Sequence, residues 1–228
     1  MKLPVRILLD PEVSPEDPGE PLLSVDGAWG APGLNLSHWP GNKTPYALKH
    51  DLSTGCVLNW ARLGQVEREA MARGCVAIAN NHYDTDGICA LFAARYPEEA
   101  LERSGALIDA ARAGDFYQMP TERAFAFDAL VSNLGVPGRS PLGARIEGLE
   151  RGERYQAQTE FLLRELPALL DAKTLPYPEL WKPELEDARA DREDLKDCER
   201  QEDEELDLVV WTAPRGRRSS RPLSLIHI

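Results

Sequence analysis

The stretch AIANNHYDTDG, at residues 77–87, decides the fold, because a short apolar run ends there in a dense polar turn. Such a nearly continuous apolar run is typical of a strand buried in a parallel sheet. His82, Asp84 and Asp86 follow it at alternate positions, and a glycine comes next. One imidazole and two carboxylates form a mixed ligand set that suits Mn²⁺, Fe²⁺ or Zn²⁺. A bound cation would also remove the repulsion between the two carboxylates.

Strands and helices alternate on both sides of this stretch. The patterns predict strands at 5–10, 22–27 and 75–81, a short strand and a turn within 33–42, and helices at 51–74, 87–95, 97–114, 122–135 and 153–172. Asp51, Ser53 or Thr54 is expected to cap the helix at 51–74. The alternation predicts an α/β fold with a mostly parallel sheet flanked by helices. Ligands of such sheets bind beyond the carboxyl ends of the strands, where the polar turn lies.

The chain divides into four segments by composition. They are an N-terminal strand and Pro-rich loop at 1–20, an α/β domain at 21–180, an acidic helix or linker at 181–207, and an incomplete strand with a non-native tail at 208–228. The final PLSLIHI resembles a translated sequencing-adapter fragment, which indicates that the natural protein continues and that its C-terminal part is truncated. A genuine disordered tail is the alternative.

The composition excludes several classes of protein. A net charge of −12 over 228 residues disfavours binding to duplex nucleic acid, which needs Lys and Arg for its phosphates. No apolar window is long enough for a membrane span. The four cysteines form no CxxC pair, and three of them lie in apolar stretches, as buried free thiols do. These features predict a cytoplasmic protein without a zinc knuckle.

Two simpler interpretations of the polar turn remain beside the metal site. A calcium loop is disfavoured because His82 is a poor calcium ligand and because Ala93 stands where an EF-hand has its glutamate. A plain turn with Asp86 capping the next helix needs only one of the three polar residues.

Three further segments carry a resemblance when they are taken together with NHYDTDGICALFAA. They are SVDG with Asp26, LSHWPGN followed by DLSTG with His38 at its centre, and AARAGDF with Asp115. The set resembles the motifs of the DHH phosphoesterase superfamily. Ser37-His38-Trp39 stands where the family has Asp-His-His, and the motif order implies a divergent, permuted member.

The resemblance implies a two-metal hydrolase of phosphate esters or anhydrides, with two Mn²⁺ ions as cofactors. His82 and Asp84 would bind one ion, and Asp86 would help to bind the second. Asp26 and Asp115 would be bridging or further ligands. His38 would be a ligand or a donor to the substrate phosphate, so that His38 and Asp86 are the catalytic candidates.

Three functions follow from these patterns. The first is a hydrolase acting on a small phosphorylated molecule or a nucleotide. The second is a non-catalytic relative that binds a metal or a nucleotide, because the Asp-His-His triplet is incomplete. The third is an interaction protein whose acidic segment at 184–207 binds a basic partner, which rests on composition alone.

Overall fold

A parallel sheet of four short strands organises the fold. The computed structural model describes residues 3–9, 19–27, 30–206 and 208–212. The strands of the sheet are β1 (Val5–Ile7), β2 (Leu22–Val25), β3 (Gly33–Leu36) and β4 (Ala77–Asn80). They lie in the order β1-β4-β2-β3, and every neighbouring pair is parallel. The predicted α/β fold with a parallel sheet is confirmed.

Strand β4 is central because its apolar sequence allows burial on both faces. All of its residues are buried, and it pairs with β1 on one side and β2 on the other. Ile78 aligns with Val5 of β1 and with Leu23 of β2, which fixes the register of the three strands. As a result, the polar turn that follows β4 leaves the sheet near the middle of its carboxyl edge.

Helices cover the sheet and form most of the core. They are α1 (Ser53–Ala61), α2 (Gln65–Met71), α3 (Thr85–Arg95), α4 (Pro97–Glu102), α5 (Ser104–Asp115), α6 (Glu122–Asn133), α7 (Arg151–Asp171) and α8 (Pro178–Leu195). Two predicted helices were wrong in extent. The helix predicted at 51–74 is broken before Gly64, and the one predicted at 97–114 is broken at Arg103, so that each gives two helices.

Helix α3 is the core helix because its sequence is apolar on all sides. Every residue from Thr85 to Ala94 is buried, and the helix packs against α1, α5 and α7. Ile88, Leu91 and Phe92 are each at most 1% exposed, and each contributes about 1.5–3 kcal/mol through burial. The start of α3 is therefore held rigidly beneath the polar turn.

The C-terminal part of the described chain differs from the prediction. The segment predicted as an acidic helix or linker ends its helix at Leu195, and Glu199–Asp203 then form a strand, β5. The predicted final strand is confirmed as β6 (Leu208–Thr212), but it pairs antiparallel with β5 in a separate sheet. The Pro-rich stretch at 10–18 and the tail at 213–228 lie outside the described residues.

Two expectations about side chains and membranes can be compared with the structure. Cys56, Cys75 and Cys89 are buried free thiols, as predicted, and Cys198 is free and half-buried. None of the helices in the described ranges combines the length and the apolar character that crossing a bilayer requires.

Candidate metal centre

The polar residues singled out in the sequence meet at the carboxyl edge of the sheet. Asp26 follows β2, His38 follows β3, and the 82–86 turn follows β4. Parallel strands bring their carboxyl ends to one edge, which explains the convergence. The site brings together all six predicted residues, because ion contacts form one set around His82 and another around His38, and Asp26 lies close to both. The six are Asp26, His38, His82, Asp84, Asp86 and Asp115.

The first group of ligand atoms, which we call the His82 trio, comprises Asp26, His82 and Asp84. The Nε2 atom of His82 lies 3.0 Å from Asp26 Oδ2 and 3.0 Å from Asp84 Oδ2. Its Nδ1 atom lies 2.7 Å from Asn81 Oδ1, an acceptor, so that Nδ1 carries a proton. The arrangement directs Nε2 at the two carboxylates, as a metal-binding histidine requires.

The second group, which we call the His38 trio, comprises Asp26, His38 and Asp86. The Nδ1 atom of His38 lies 3.3 Å from Asp86 Oδ2. In each trio, one ligand atom from every residue lies within 4.8 Å of the other two. Asp26 belongs to both trios, so that two cation positions would share one carboxylate.

Hydrogen bonds fix one of the two carboxylate oxygens of Asp26. Its Oδ1 atom accepts hydrogen bonds from Ser53 Oγ at 2.8 Å and from Trp39 Nε1 at 3.0 Å. Its Oδ2 atom is buried and makes no well-aligned hydrogen bond, although His82 Nε2 lies 3.0 Å from it. The residue is fully buried and has a φ of +50°, a left-handed conformation that Asp tolerates better than most residues. A buried acceptor without a well-aligned donor is costly unless a ligand satisfies it.

Asp86 caps a helix, but not the helix predicted from the sequence. Its two oxygens accept from Ser53 N at 2.7 Å and from Thr54 N at 2.8 Å, at the start of α1. The cap of α3 is instead Asp84, whose Oδ1 accepts from Gly87 N at 2.8 Å. The plain-turn interpretation assigned the wrong carboxylate to α3.

Helix α1 therefore receives its cap from another element. Its N-cap position is Leu52, and no side chain at that position makes a capping hydrogen bond. The predicted caps, Asp51, Ser53 or Thr54, were wrong, since the latter two are helical residues whose backbone N–H groups reach Asp86.

Asp115 joins the site through His38. It is the last residue of α5, and its Oδ2 atom lies 3.4 Å from His38 Nε2. It belongs to neither trio, because the structure places it on the opposite side of the His38 ring. The prediction of Asp115 as a bridging or further ligand remains a prediction, and its present contact is with an imidazole.

Burial and crowding shift the protonation of the centre. Burial, with repulsion from neighbouring aspartates, raises the pKa of Asp26 from 3.8 to about 6 and that of Asp115 from 3.8 to about 8. Burial alone would lower the pKa of His82, but its contacts with Asp26 and Asp84 raise it from 6.5 to about 10. Within the described residues, no Lys or Arg forms an ion pair with these carboxylates. With these raised pKa values, His82 and Asp115 keep their protons at neutral pH, which reduces the repulsion among the carboxylates.

Ser53, His38 and Asp115 are arranged in the order of a serine-hydrolase triad, but the burial of Ser53 excludes it as a nucleophile. The Oγ atom of Ser53 lies 3.2 Å from His38 Nδ1, and His38 Nε2 faces Asp115, in the order nucleophile, base and orienting acid. Ser53 is 0% exposed, however, and its hydroxyl donates to Asp26. No substrate carbon can reach that oxygen, so Ser53 positions Asp26.

Sequence reasoning missed several residues that support the site. Trp39 was noted only as a substitute in the triplet, but its indole N–H orients Asp26. Asp128 of α6 accepts from Thr85 Oγ1 at 2.6 Å, directly beside the turn, and burial raises its pKa to about 6. A single aspartate inside an amphipathic helix gives no signal of this role in the sequence.

Gly87 is required by the packing of the centre. A Cβ atom there would lie 2.1 Å from Asn80 Nδ2 and 2.9 Å from Asp26 Oδ2. We expect Gly87→Ala to lower the free energy of unfolding by about 1–3 kcal/mol through overpacking. Gly105→Ala is the control, since that helical glycine is exposed and has no atom within 4 Å of the added methyl group; it should gain about 0.5–1 kcal/mol. Equal urea midpoints for the two variants would contradict the packing argument.

Comparison with known proteins adds one finding. The sequence model of a family described as a family of unknown function (DUF6687) matches residues 13–226. No curated protein and no solved structure matches the chain. The resemblance to the DHH superfamily accordingly remains a prediction.

Proposed function

The chain belongs to DUF6687, a family of unknown function, and we propose from its site that it is a divalent-cation-dependent hydrolase of phosphate esters or anhydrides. One observation carries the proposal. Asp26, fully buried and with one oxygen that faces only an imidazole without a well-aligned hydrogen bond, belongs to two groups of carboxylate and imidazole ligands at one sheet edge. Such a concentration of buried acid, with no Lys or Arg of the described residues in ion contact with it, favours cation binding.

The residues fit a transition-metal ion better than a calcium ion. Each trio offers one imidazole nitrogen and two carboxylates, a set that suits Mn²⁺, Fe²⁺ or Zn²⁺, whereas calcium takes oxygen ligands only. Asn81 fixes the ring of His82 from outside the trio, as supporting residues of metal sites do. We take Mn²⁺ as the probe ion.

When bound, such a cation supplies a Lewis acid that stabilises negative charge on phosphoryl oxygens. The remaining chemistry belongs to His38 and Asp115, which lie 3.4 Å apart and are partly exposed. Because the pKa of Asp115 is raised to about 8 by burial and by nearby carboxylates, this group carries a proton at neutral pH. The pair can donate that proton to a leaving-group oxygen, as general acids do.

The substrate of the proposed reaction is a small phosphorylated molecule or a nucleotide. A net charge of −12 gives the surface no general attraction for a long polyanion. A single phosphate group meets this repulsion less, because a local cation can neutralise it. Buried free thiols suit a reducing compartment, so a cytoplasmic location is part of the proposal.

Turnover by defined variants tests the proposal. Phosphomonoesters, phosphodiesters and pyrophosphate are offered to the full chain with Mn²⁺. We expect turnover of at least one class, and Asp84→Ala should reduce it by more than about a hundredfold, because a metal ligand is lost. Glu67→Ala removes an exposed acid of α2 and should leave the rate unchanged. Equal rates for both variants, or turnover that persists with chelator, would contradict the proposal.

A second candidate is a metal-binding protein without catalysis. It is favoured by the triplet at 37–39, where Ser37 Oγ only accepts hydrogen bonds from Gly27 N and Trp39 N. The Ser37 side chain therefore serves the local fold and supplies no ligand where the DHH motif has an aspartate. Bound Mn²⁺ without turnover of any phosphate compound would favour this candidate.

A further inference from the structure

We propose that the two trios are unequal, and that the chain binds one divalent cation tightly at the His82 trio before it binds any at the His38 trio. The inference rests on the proposed function only in taking a divalent cation as the ligand. It concerns the occupancy and order of the two positions, which the shared carboxylate alone leaves undetermined.

The His82 trio presents ligand atoms that no backbone donor occupies. Asp26 Oδ2 is buried, and its polar contact is the imidazole of His82, whose Nε2 lies 3.0 Å away without a well-aligned hydrogen bond. Asp84 uses Oδ1 to accept from Gly87 N, which leaves its Oδ2 directed at His82. The contact of His82 Nδ1 with Asn81 leaves Nε2 as the ligand nitrogen. A cation that replaces the His82 proton satisfies all three atoms and breaks no hydrogen bond to the backbone.

In the His38 trio, the carboxylate oxygens already accept hydrogen bonds from donors of the protein. Both oxygens of Asp86 accept backbone N–H groups, from Ser53 at 2.7 Å and from Thr54 at 2.8 Å. The Asp26 oxygen that is not used by the His82 trio accepts from Ser53 Oγ and from Trp39 Nε1. The oxygens of these two carboxylates that face this position therefore already accept hydrogen bonds from neutral donors of the protein, which a cation would have to displace.

The amino terminus of α1 disfavours a cation at the His38 trio for a second, electrostatic reason. This terminus, the positive end of the helix dipole, points at Asp86. The same Ser53 N–H group also lies 3.1 Å from His38 Nδ1, the trio's nitrogen. A hydrogen bond to a charged group is worth roughly ten- to a hundredfold in an equilibrium constant, so we expect roughly hundredfold weaker binding here than at the His82 trio.

Titration of the full chain with Mn²⁺ alone tests the order of binding. The chain is stripped with chelator, free Mn²⁺ is followed by electron paramagnetic resonance, and bound metal is measured after gel filtration. We expect one tightly held ion per chain and a second ion only at roughly hundredfold higher concentration. Two ions of equal affinity, seen as a spin-coupled pair at the first equivalent, would overturn the inference.

Two histidine variants assign the tight ion to its trio. His82→Ala should lose the tight ion, and His38→Ala should retain it, with circular dichroism confirming that both fold. Loss of the tight ion in His38→Ala together with its retention in His82→Ala would overturn the assignment.

Ser53→Ala tests whether hydrogen bonds from the protein weaken cation binding at the His38 trio, and it leaves all the ligand residues of both trios in place. It removes the hydroxyl donor to Asp26 Oδ1 and keeps the backbone N–H groups. We expect the second ion to bind several-fold more tightly and the first to be unaffected. A second ion that binds no better would contradict the role of these hydrogen bonds.

One tight ion without turnover would overturn the hydrolase proposal and leave this inference standing, whereas turnover by a chain with two equal ions would do the reverse.

Discussion

Asp26→Asn is expected to abolish tight binding of Mn²⁺ and to make the cation-free protein more stable at neutral pH. Asp26 is fully buried, and burial with the nearby charges of Asp84 and Asp86 raises its pKa from 3.8 to about 6. A carboxyl group with a raised folded-state pKa costs stability once it ionises, and the cost builds up as pH rises from about 4 to about 6. The shift corresponds to up to about 3 kcal/mol at pH 7.

Asn is the right replacement because it keeps the shape of the side chain while it removes the carboxylate charge and with it the ion contact to His82. It tolerates the φ of +50° at this position, and its Oδ1 can still accept from Ser53 and Trp39. Urea unfolding with chelator should give a higher midpoint than that of the wild type, and Mn²⁺ should raise only the wild-type midpoint.

Asp187→Asn provides a matched control on the exposed surface of α8. It should leave both the cation-free midpoint and the effect of Mn²⁺ unchanged. A cation-free Asp26→Asn protein that is less stable than the wild type would show that the carboxylate serves the fold rather than a ligand.

The affinity for Mn²⁺ is expected to rise about tenfold per pH unit between about pH 6 and pH 10, because a metal ligand must lose its proton. Although burial lowers it, the pKa of His82 is raised to about 10 by Asp26 and Asp84. Over this range His82 is protonated in the cation-free protein and neutral in the bound one. Below about pH 6 the dependence should steepen, since Asp26 then also binds a proton.

Calorimetry in two buffers of different ionisation enthalpy measures this exchange directly. One proton should be released per tight ion at pH 7.5. His50→Ala removes an imidazole that belongs to neither trio and accepts from Leu52 N, and the pH dependence should survive it. An affinity that is constant from pH 6 to pH 9 would show that no proton leaves His82.

Much of the site was predictable because it depends on topology. An apolar run ending in His82, Asp84 and Asp86 indicated a buried strand whose carboxyl end carries the polar turn, and parallel pairing brought Asp26 to the same end of the sheet. These predictions needed only the position of the strands, which hydrophobic patterning indicates, and their parallel direction, which the alternation of strands and helices indicates.

The capping pattern was not predictable because it depends on contacts distant in sequence. Asp86 lies 33 residues from Ser53, whose N–H group it accepts, and nothing local distinguishes it from Asp84 as a cap of α3. The break between α1 and α2 was also missed, although Gly64 marks it. A glycine inside a helical pattern is tolerated often enough that its presence alone does not end a helix.

The attachment of Asp86 to the start of α1 couples two helices during fluctuations of the native protein. The amide hydrogens of Ser53 and Thr54 cannot exchange with solvent until α1 leaves the carboxylate at the start of α3. At an ordinary helix end, fraying is a local event. Fraying at the start of α1 requires in addition that α1 separates from the buried start of α3. Deuterium uptake at these two amides should be as slow as in the buried strands, and the least mobile helix end should be the one with no cap of its own.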